Sequence, residues 1–195
     1  MAESQNPVPP VQIAALAAQA GAPQAGAPSS FRVIGIDTSL RSTGLAVVEA
    51  EGQRFKALCY GLVKNPSPMP LSQCLAHLRH DIAGLVGEFH PDAAAIEGIF
   101  YAKNVRTAMI LCHARGVAID ACSEAGIPVF EYEPRRVKQA VLGVGSATKE
   151  QIQRIVTATL GLQKIPPEDA ADALAIALAH LHNRNRLALG LDKPL

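Results

Sequence analysis

Charge and thiols say little about what this chain does. With 18 basic and 17 acidic residues its formal net charge is only +1, so bulk charge does not mark a nucleic-acid binder. The four cysteines, Cys59, Cys74, Cys112 and Cys122, stand in apolar or helical surroundings with no Cys-x-x-Cys pair. That argues against a disulfide framework or a thiolate metal site and for reduced thiols. No secretory leader pattern and no run of 18 apolar residues is found; the expectation is a cytoplasmic chain with no membrane partner. The Walker lysine pattern is missing as well, so no nucleotide site is implied. What is present is an ordinary globular composition, 49% apolar over 195 residues, enough for one domain with a substantial core.

Residues 1–30 are rich in Ala, Pro, Gln, Gly and Ser and read as a flexible N-terminal tail, within which Val11 to Ala20 has the composition of a short Ala-rich helix. The folded domain is expected over 31–184, with 185–195 as a C-terminal tail. Strands are predicted over 32–37, 43–49 and 54–62, with Phe55, Ala57, Cys59 and Gly61 sharing one face of the third; short links make these an antiparallel meander. Pro66, Pro68 and Pro70 lead into a helix over 71–89, whose Leu71, Leu75, Leu78, Ile82 and Leu85 recur at helical spacing. A strand over 92–97 follows, then a helix over 103–125. That helix is apolar nearly all round, which calls for cover on two sides, by the sheet and by a second subunit or other helices. A strand over 127–132 and helices over 134–141, 149–160 and 169–184 complete an α/β layered domain, a five-stranded mixed sheet flanked by helices.

Two of the strands end alike. Val33-Ile-Gly-Ile36 stops at Asp37, and Ala93-Ala-Ala-Ile96 stops at Glu97. A carboxylate at the end of a central strand is costly unless it is hydrogen-bonded, paired or bound to a cation. Asp169 and Asp172, three apart at a helix start, share a face. Each acid has a bland alternative: Asp37 as a turn cap, Glu97 as a sheet-edge surface group, Asp169 and Asp172 as N-capping charges. The small Ala170, Ala171 and Ala173 instead suit a helix lying close against a sheet. Gathered at one site, the four carboxylates need protonation or a cation. Oxygen ligands without His or Cys favour magnesium or manganese, and a pair of such ions suits phosphodiester hydrolysis.

Setting those four acids aside leaves 18 basic against 13 acidic residues, compatible with a polyanionic partner. Lys103, Arg106, Arg115, Arg135, Arg136, Lys138, Lys149 and Arg154 all fall between Glu97 and Asp169. The strongest phosphate-binding candidates are Arg135-Arg136-x-Lys138 after a strand and Lys149 after a Gly-x-Gly loop, where Gly143 and Gly145 would let backbone N–H groups approach an anion. Phe100 and Tyr101, just past Glu97, are either packing residues or an aromatic wedge against bases.

These pieces together resemble the RuvC family of Holliday junction resolvases, which have a ribonuclease-H-like fold. The matching segments are Gly35-Ile-Asp37 with Ser42-Thr-Gly44; Ala95-Ile-Glu97 with Phe100-Tyr-Ala-Lys-Asn104; Ala114-Arg-Gly-Val-Ala118; Val129-Phe-Glu-Tyr132; Arg136-Val-Lys-Gln139; Gly143-Val-Gly-Ser-Ala-Thr-Lys149; and Asp169-Ala-Ala-Asp172-Ala-Leu-Ala175. The resemblance implies Asp37, Glu97, Asp169 and Asp172 as a magnesium-binding catalytic quartet, two ions per site with manganese able to substitute. It implies Phe100 as the aromatic that stacks at an opened junction, and Lys138 and Lys149 as cations on the scissile phosphate and DNA backbone. It also implies a homodimer making symmetric nicks in a four-way DNA junction beside a branch-migration motor. Two departures stand out: Thr38-Ser39 where the family commonly has Pro-Gly, and Gly98 where it often has Gln.

Other classes fit less well. A sugar-kinase or actin-like ATPase needs two lobes of this kind, and this chain has one. A related nuclease acting on another DNA or RNA substrate, and a non-catalytic DNA-binding relative, remain as alternatives. The second is disfavoured because all four acids are present.

Overall fold

The computed structural model describes the backbone of residues 12–15 and residues 30–98, 104–184 and 193–195. Its strands are β1 (Gln12–Ala15), β2 (Phe31–Asp37), β3 (Ser42–Glu51), β4 (Arg54–Lys64), β5 (Ala93–Glu97) and β6 (Val129–Tyr132). Its helices are α1 (Leu71–Phe89), α2 (Val105–Glu124), α3 (Pro134–Leu142), α4 (Lys149–Thr159) and α5 (Glu168–His182). The sheet order is β1-β4-β3-β2-β5-β6. β2, β5 and β6 run parallel and the remaining pairs antiparallel, so the five strands from Phe31 to Tyr132 form the expected mixed sheet.

Because side chains alternate across a strand, β2 feeds two cores. Val33 joins Ala46, Val48, Ala95 and the α5 side chains on one face. Ile34 and Ile36 join Leu45, Val47, Ala94 and Ile96 beneath α1 and α2 on the other. Helix α1 buries Leu78, Ile82 and Leu85 of the predicted stripe, but Leu75 is half-buried and Leu71 is exposed, and Cys74 fills the core at the first turn instead. Helix α5 buries every residue from Ala173 to Leu181, and its alanines let it lie on the strands. A Cβ on Gly35 would come 2.1 Å from the Ala173 carbonyl oxygen, and one on Gly44 would come 1.9 Å from that of Asp169. Any larger residue at either position would lift the helix, and its acids, off the sheet.

Three expectations change. Gln12–Ala15, placed in a tail with helical composition, is instead an edge strand antiparallel to β4; the open backbone groups of an edge strand template such pairing. Residue 195, also placed in a tail, donates its backbone N–H to the Val129 carbonyl on β6 at 2.8 Å. In β4 a register shift opposite Val47 and Val48 sends Ala57 to one core and Cys59 to the other. A one-residue bulge reverses which face every later side chain meets, so Phe55, Ala57 and Cys59 do not share a face. Among the described residues no helix is long and apolar enough to cross a membrane.

Candidate metal and nucleic-acid site

The topology brings the two strand-end acids together. Ile36 of β2 pairs with Ile96 of the parallel β5, so the next residues, Asp37 and Glu97, leave the sheet side by side. The carbonyl of Asp169 lies directly over Gly44, which pairs with Asp37. This sets the start of α5 above the same corner. All four acids are half-buried.

Their bland alternatives do not account for them. The β2–β3 turn is closed by Ser39 and Thr43 rather than by Asp37. Ser39 Oγ accepts from the backbone N–H groups of Arg41 and Ser42, each at 3.3 Å. Thr43 Oγ1 accepts from the Ser39 N–H at 3.2 Å and donates to the Ser39 carbonyl. Glu97 ends an interior strand, not an edge. Helix α5 has no side-chain cap, and Asp169 Oδ2 accepts instead from the hydroxyl of Ser42. The unfamiliar Thr38-Ser39 thus builds a hydroxyl-closed turn, with Ser39 turned inward on its own backbone and Thr38 buried.

Electrostatics mark the corner as short of positive charge. Burial, then the charges of Glu97, Asp172 and Asp169, push the Asp37 carboxyl from 3.8 up to about 8, with Lys149 opposing. Burial and Asp172 raise Glu97 against the pull of Lys138 and Lys149. Asp172 is raised by burial, opposed by Lys149 and Lys138 and reinforced by Asp169. Among the described residues no three His, Cys, Asp or Glu side chains close into a ready coordination cage. The all-oxygen donor set and the strained ionisation of Asp37 nevertheless fit a hard divalent cation, whose charge would relieve that repulsion.

The cations divide into two kinds. Arg115 is buried; it donates to the Glu97 carbonyl and pairs with Glu131. It therefore braces the end of β5 and is not a phosphate-facing surface group. Arg106, Arg135, Arg136, Lys149 and Arg154 are exposed and Lys138 is half-buried. Lys149 forms an exposed ion pair with Glu168, weak enough to exchange for a phosphate. The Gly-x-Gly loop serves local structure. Gly143, at φ 76°, ends α3 and donates its N–H to the Gln139 carbonyl, and Gly145 leaves room for the Arg135 side chain. Phe100, Tyr101 and Lys103 lie outside the described residues. Sequence reasoning missed the roles of Ser42 and Arg115 at the acids. Ser42 belongs to the Ser42-Thr-Gly44 segment, but its partner is 127 positions away.

Among the described residues helix α2 is covered by the sheet and by α1 and is open along one face. Ala114, Ala118, Ala121 and Cys122 are buried against the sheet. Val105 is 78% and Met109 58% exposed, and with Ala108, Cys112 and His113 they line an open depression that none of the four acids touches.

Residues 33–180 match the family described as crossover junction endodeoxyribonuclease RuvC. A relative of that name from Syntrophomonas wolfei is 43% identical over 154 residues, 78% of this chain and 90% of the relative. The RuvC structure from Thermus thermophilus superposes with a TM-score of 0.76 at 35% identity, covering 85% of this chain and 100% of that one. The same protein in complex with a Holliday junction substrate gives 0.78 at 34% identity, with 85% and 99% covered. The sheet and its helices are accordingly those of a ribonuclease-H-like domain, and by sequence and by fold the chain belongs to the RuvC family of crossover junction endodeoxyribonucleases.

Proposed function

We propose that this chain resolves four-way DNA junctions by divalent-metal-dependent phosphodiester hydrolysis, acting from the cytoplasm as a homodimer that makes paired symmetric nicks. The observation that carries the site assignment is the pairing of Ile36 with Ile96 on parallel strands, with Asp169 set over Gly44, so that the acids share one corner; the upward push on the Asp37 carboxyl, to about 8, accords with it. Asp37, Glu97, Asp169 and Asp172 are the residues that would hold the metal. When bound, a pair of magnesium ions, or manganese in their place, supplies water activation and stabilisation of the leaving oxygen. The chain's own groups do the rest. Ser42 fixes one oxygen of Asp169, and Arg115 fixes the backbone of Glu97. Lys138 and Lys149 bring positive charge to the acids and, with Lys103, Arg106 and Arg136, hold the DNA backbone. Phe100 is assigned to stacking at the junction centre, and the nuclease domain spans 31–184 with the Gln12–Ala15 edge strand added to its sheet.

The open face of α2 is assigned to the dimer, since a two-fold interface matches one apolar patch to its copy. Met109→Asp is expected to shift the protein to monomer in light scattering and to uncouple the two nicks; a dimer that persists would move the interface elsewhere. A branch-migration motor is the further partner this reading carries. The decisive experiment is cleavage of a four-way junction beside a linear duplex and a flap, with and without magnesium. Cutting is expected on the junction and only with the metal. Equal cutting of the duplex or flap would favour a nuclease of other specificity, and junction binding without cutting would favour a non-catalytic relative.

A further inference from the structure

A buried polar network outside the acids leads to the β2–β3 turn. Asn65 follows β4 directly and is 5% exposed. Its backbone N–H donates to the Arg41 carbonyl at 3.0 Å. Its side-chain Nδ2 donates to the Leu40 carbonyl at 2.7 Å and reaches the Cys74 carbonyl at 3.4 Å. With carbonyls on both sides of the nitrogen, the amide orientation is forced, and Oδ1 must be the acceptor. Oδ1 meets His77 Nδ1 at 2.7 Å, so that ring nitrogen carries the proton. His77 Nε2 lies 3.1 Å from Asp81 Oδ2 in a contact whose geometry falls short of a hydrogen bond, leaving that oxygen otherwise unpartnered. His77 and Asp81 are each 8% exposed. Burial raises the Asp81 carboxyl, against the pull of His77 and His80. A second tie runs from the same turn: Arg41 Nη1 donates to the carbonyls of Pro66 at 2.7 Å and Met69 at 3.1 Å.

This is an expensive arrangement for mere packing, because buried polar groups that could be replaced by apolar ones seldom add net stability. Its position explains it. The turn begins at Asp37 and ends at Ser42, whose hydroxyl holds Asp169 on α5. Helix α1 lies under one face of the sheet and α5 on the other. The network thus ties the turn to α1, while Ser42 ties it to α5, and a carboxylate lies at each end of the connection.

We propose that Asn65, oriented by His77 and Asp81, is a positioning residue that fixes the β2–β3 turn and through it the placement of Asp37 and Asp169. The inference rests on the nuclease reading above for its kinetic consequence, but not for its structural one. Asn65→Asp keeps the volume and the acceptor while deleting both Nδ2 donors. His77→Leu removes the donor to Oδ1. His77→Asn restores an amide N–H where Nδ1 stands.

The experiment measures single-turnover junction cleavage, junction affinity and amide hydrogen exchange over residues 40–42 in each variant, with circular dichroism to establish folding. Asn65→Asp and His77→Leu are expected to lower the cleavage rate about tenfold or more, as displaced catalytic groups do. Junction affinity should stay within about twofold, and exchange at 40–42 should quicken about tenfold. His77→Asn is expected to recover most of both losses. A folded Asn65→Asp protein with unchanged exchange at 40–42 would overturn the brace. So would His77→Asn and His77→Leu being equally impaired, which would reduce His77 to a space-filler. Should the wild-type chain cleave no junction, the nuclease reading fails, while the exchange comparison still decides whether Asn65 holds the turn.

Discussion

Strands β2 and β5 end in the same way in sequence, an apolar run closed by an acid, yet the two ends are built differently. Past Asp37 the chain is held at nearly every residue: Ser39 and Thr43 close the turn, Arg41 and Asn65 tie it to the α1 side, and Ser42 ties it to α5. At the other end the Gly98 N–H continues the ladder to Tyr132 at 2.9 Å, and Arg115 holds the Glu97 carbonyl. The charges differ too. Asp37 is raised by burial and three acids with one lysine opposing, whereas Glu97 is raised by burial and one acid with two lysines opposing. One end is tied by hydroxyl and amide hydrogen bonds and starved of positive charge, and the other is offset by two lysines.

The largest expected effect comes from neutralising either acid. Asp37→Asn and Glu97→Gln should each lower junction cleavage about a thousandfold, since metal-centred charge stabilisation is worth several kcal/mol, while junction affinity is retained. Their stabilities should part. A carboxyl at 3.8 in the unfolded chain and about 8 in the folded one leaves the folded state holding more protons between those values. Stability of the metal-free protein therefore falls as pH rises from about 4 to 8. Asp37→Asn should remove most of that fall, leaving the smaller share from Glu97 and Asp172, and raise Tm at pH 8 in the absence of metal; Glu97→Gln should raise it less. Magnesium should raise the wild-type Tm at pH 8 and raise that of Asp37→Asn far less. Equal Tm gains from the two substitutions would break the contrast between the two ends.

Most of this site was legible in the sequence because its parts are local: apolar runs, the acids that end them, and the Asp169–Asp172 spacing. Two strand-end acids become neighbours wherever their strands lie adjacent and parallel, and the pattern Val33–Asp37 and Ala93–Glu97 repeats that logic openly. What could not be read was long-range. Nothing near Arg115 announces that it turns inward to Glu97 and Glu131, and among nine Lys and Arg residues between Glu97 and Asp169 it is not set apart by its neighbours. The bulge in β4 was hidden because Ala57, Leu58 and Cys59 are all small or apolar and suit either face. The edge strand at Gln12–Ala15 depends on the open edge of β4, a partner that composition does not reveal.

A smaller effect separates the cations from the acids. Lys149 opposes the charge of Asp37, Glu97 and Asp172, yet its ion pair with Glu168 is exposed. Lys149→Ala should cost about ten- to a hundredfold in cleavage, within the range of a single lost charge-stabilising donor. It should also lower the slope of log affinity against log salt by about one, the signature of one lost phosphate contact. The wild-type slope itself should be steep. A slope unchanged in Lys149→Ala would place that lysine among the carboxylates alone, and so sharpen the difference between the Glu97 side and the rest of the basic surface.

The mildest test falls on Gly98, where the family often carries glutamine. A Cβ there would stand 3.1 Å from Glu131 Oε1 and 3.3 Å from its Cδ and Cγ, so Glu131 must give way by a few tenths of an ångström. It can do so, because its side chain is 43% exposed at the far side of the Arg115 pair. The disturbance reaches Glu97 only at second hand, through the guanidinium that also holds its carbonyl. Gly98→Ala should therefore cost about 1 kcal/mol of stability or less and less than about threefold in cleavage, read by thermal unfolding and single-turnover kinetics. A loss approaching that of Glu97→Gln would show that the Glu131–Arg115 pair sets the placement of Glu97 as firmly as the hydroxyl-closed turn sets that of Asp37.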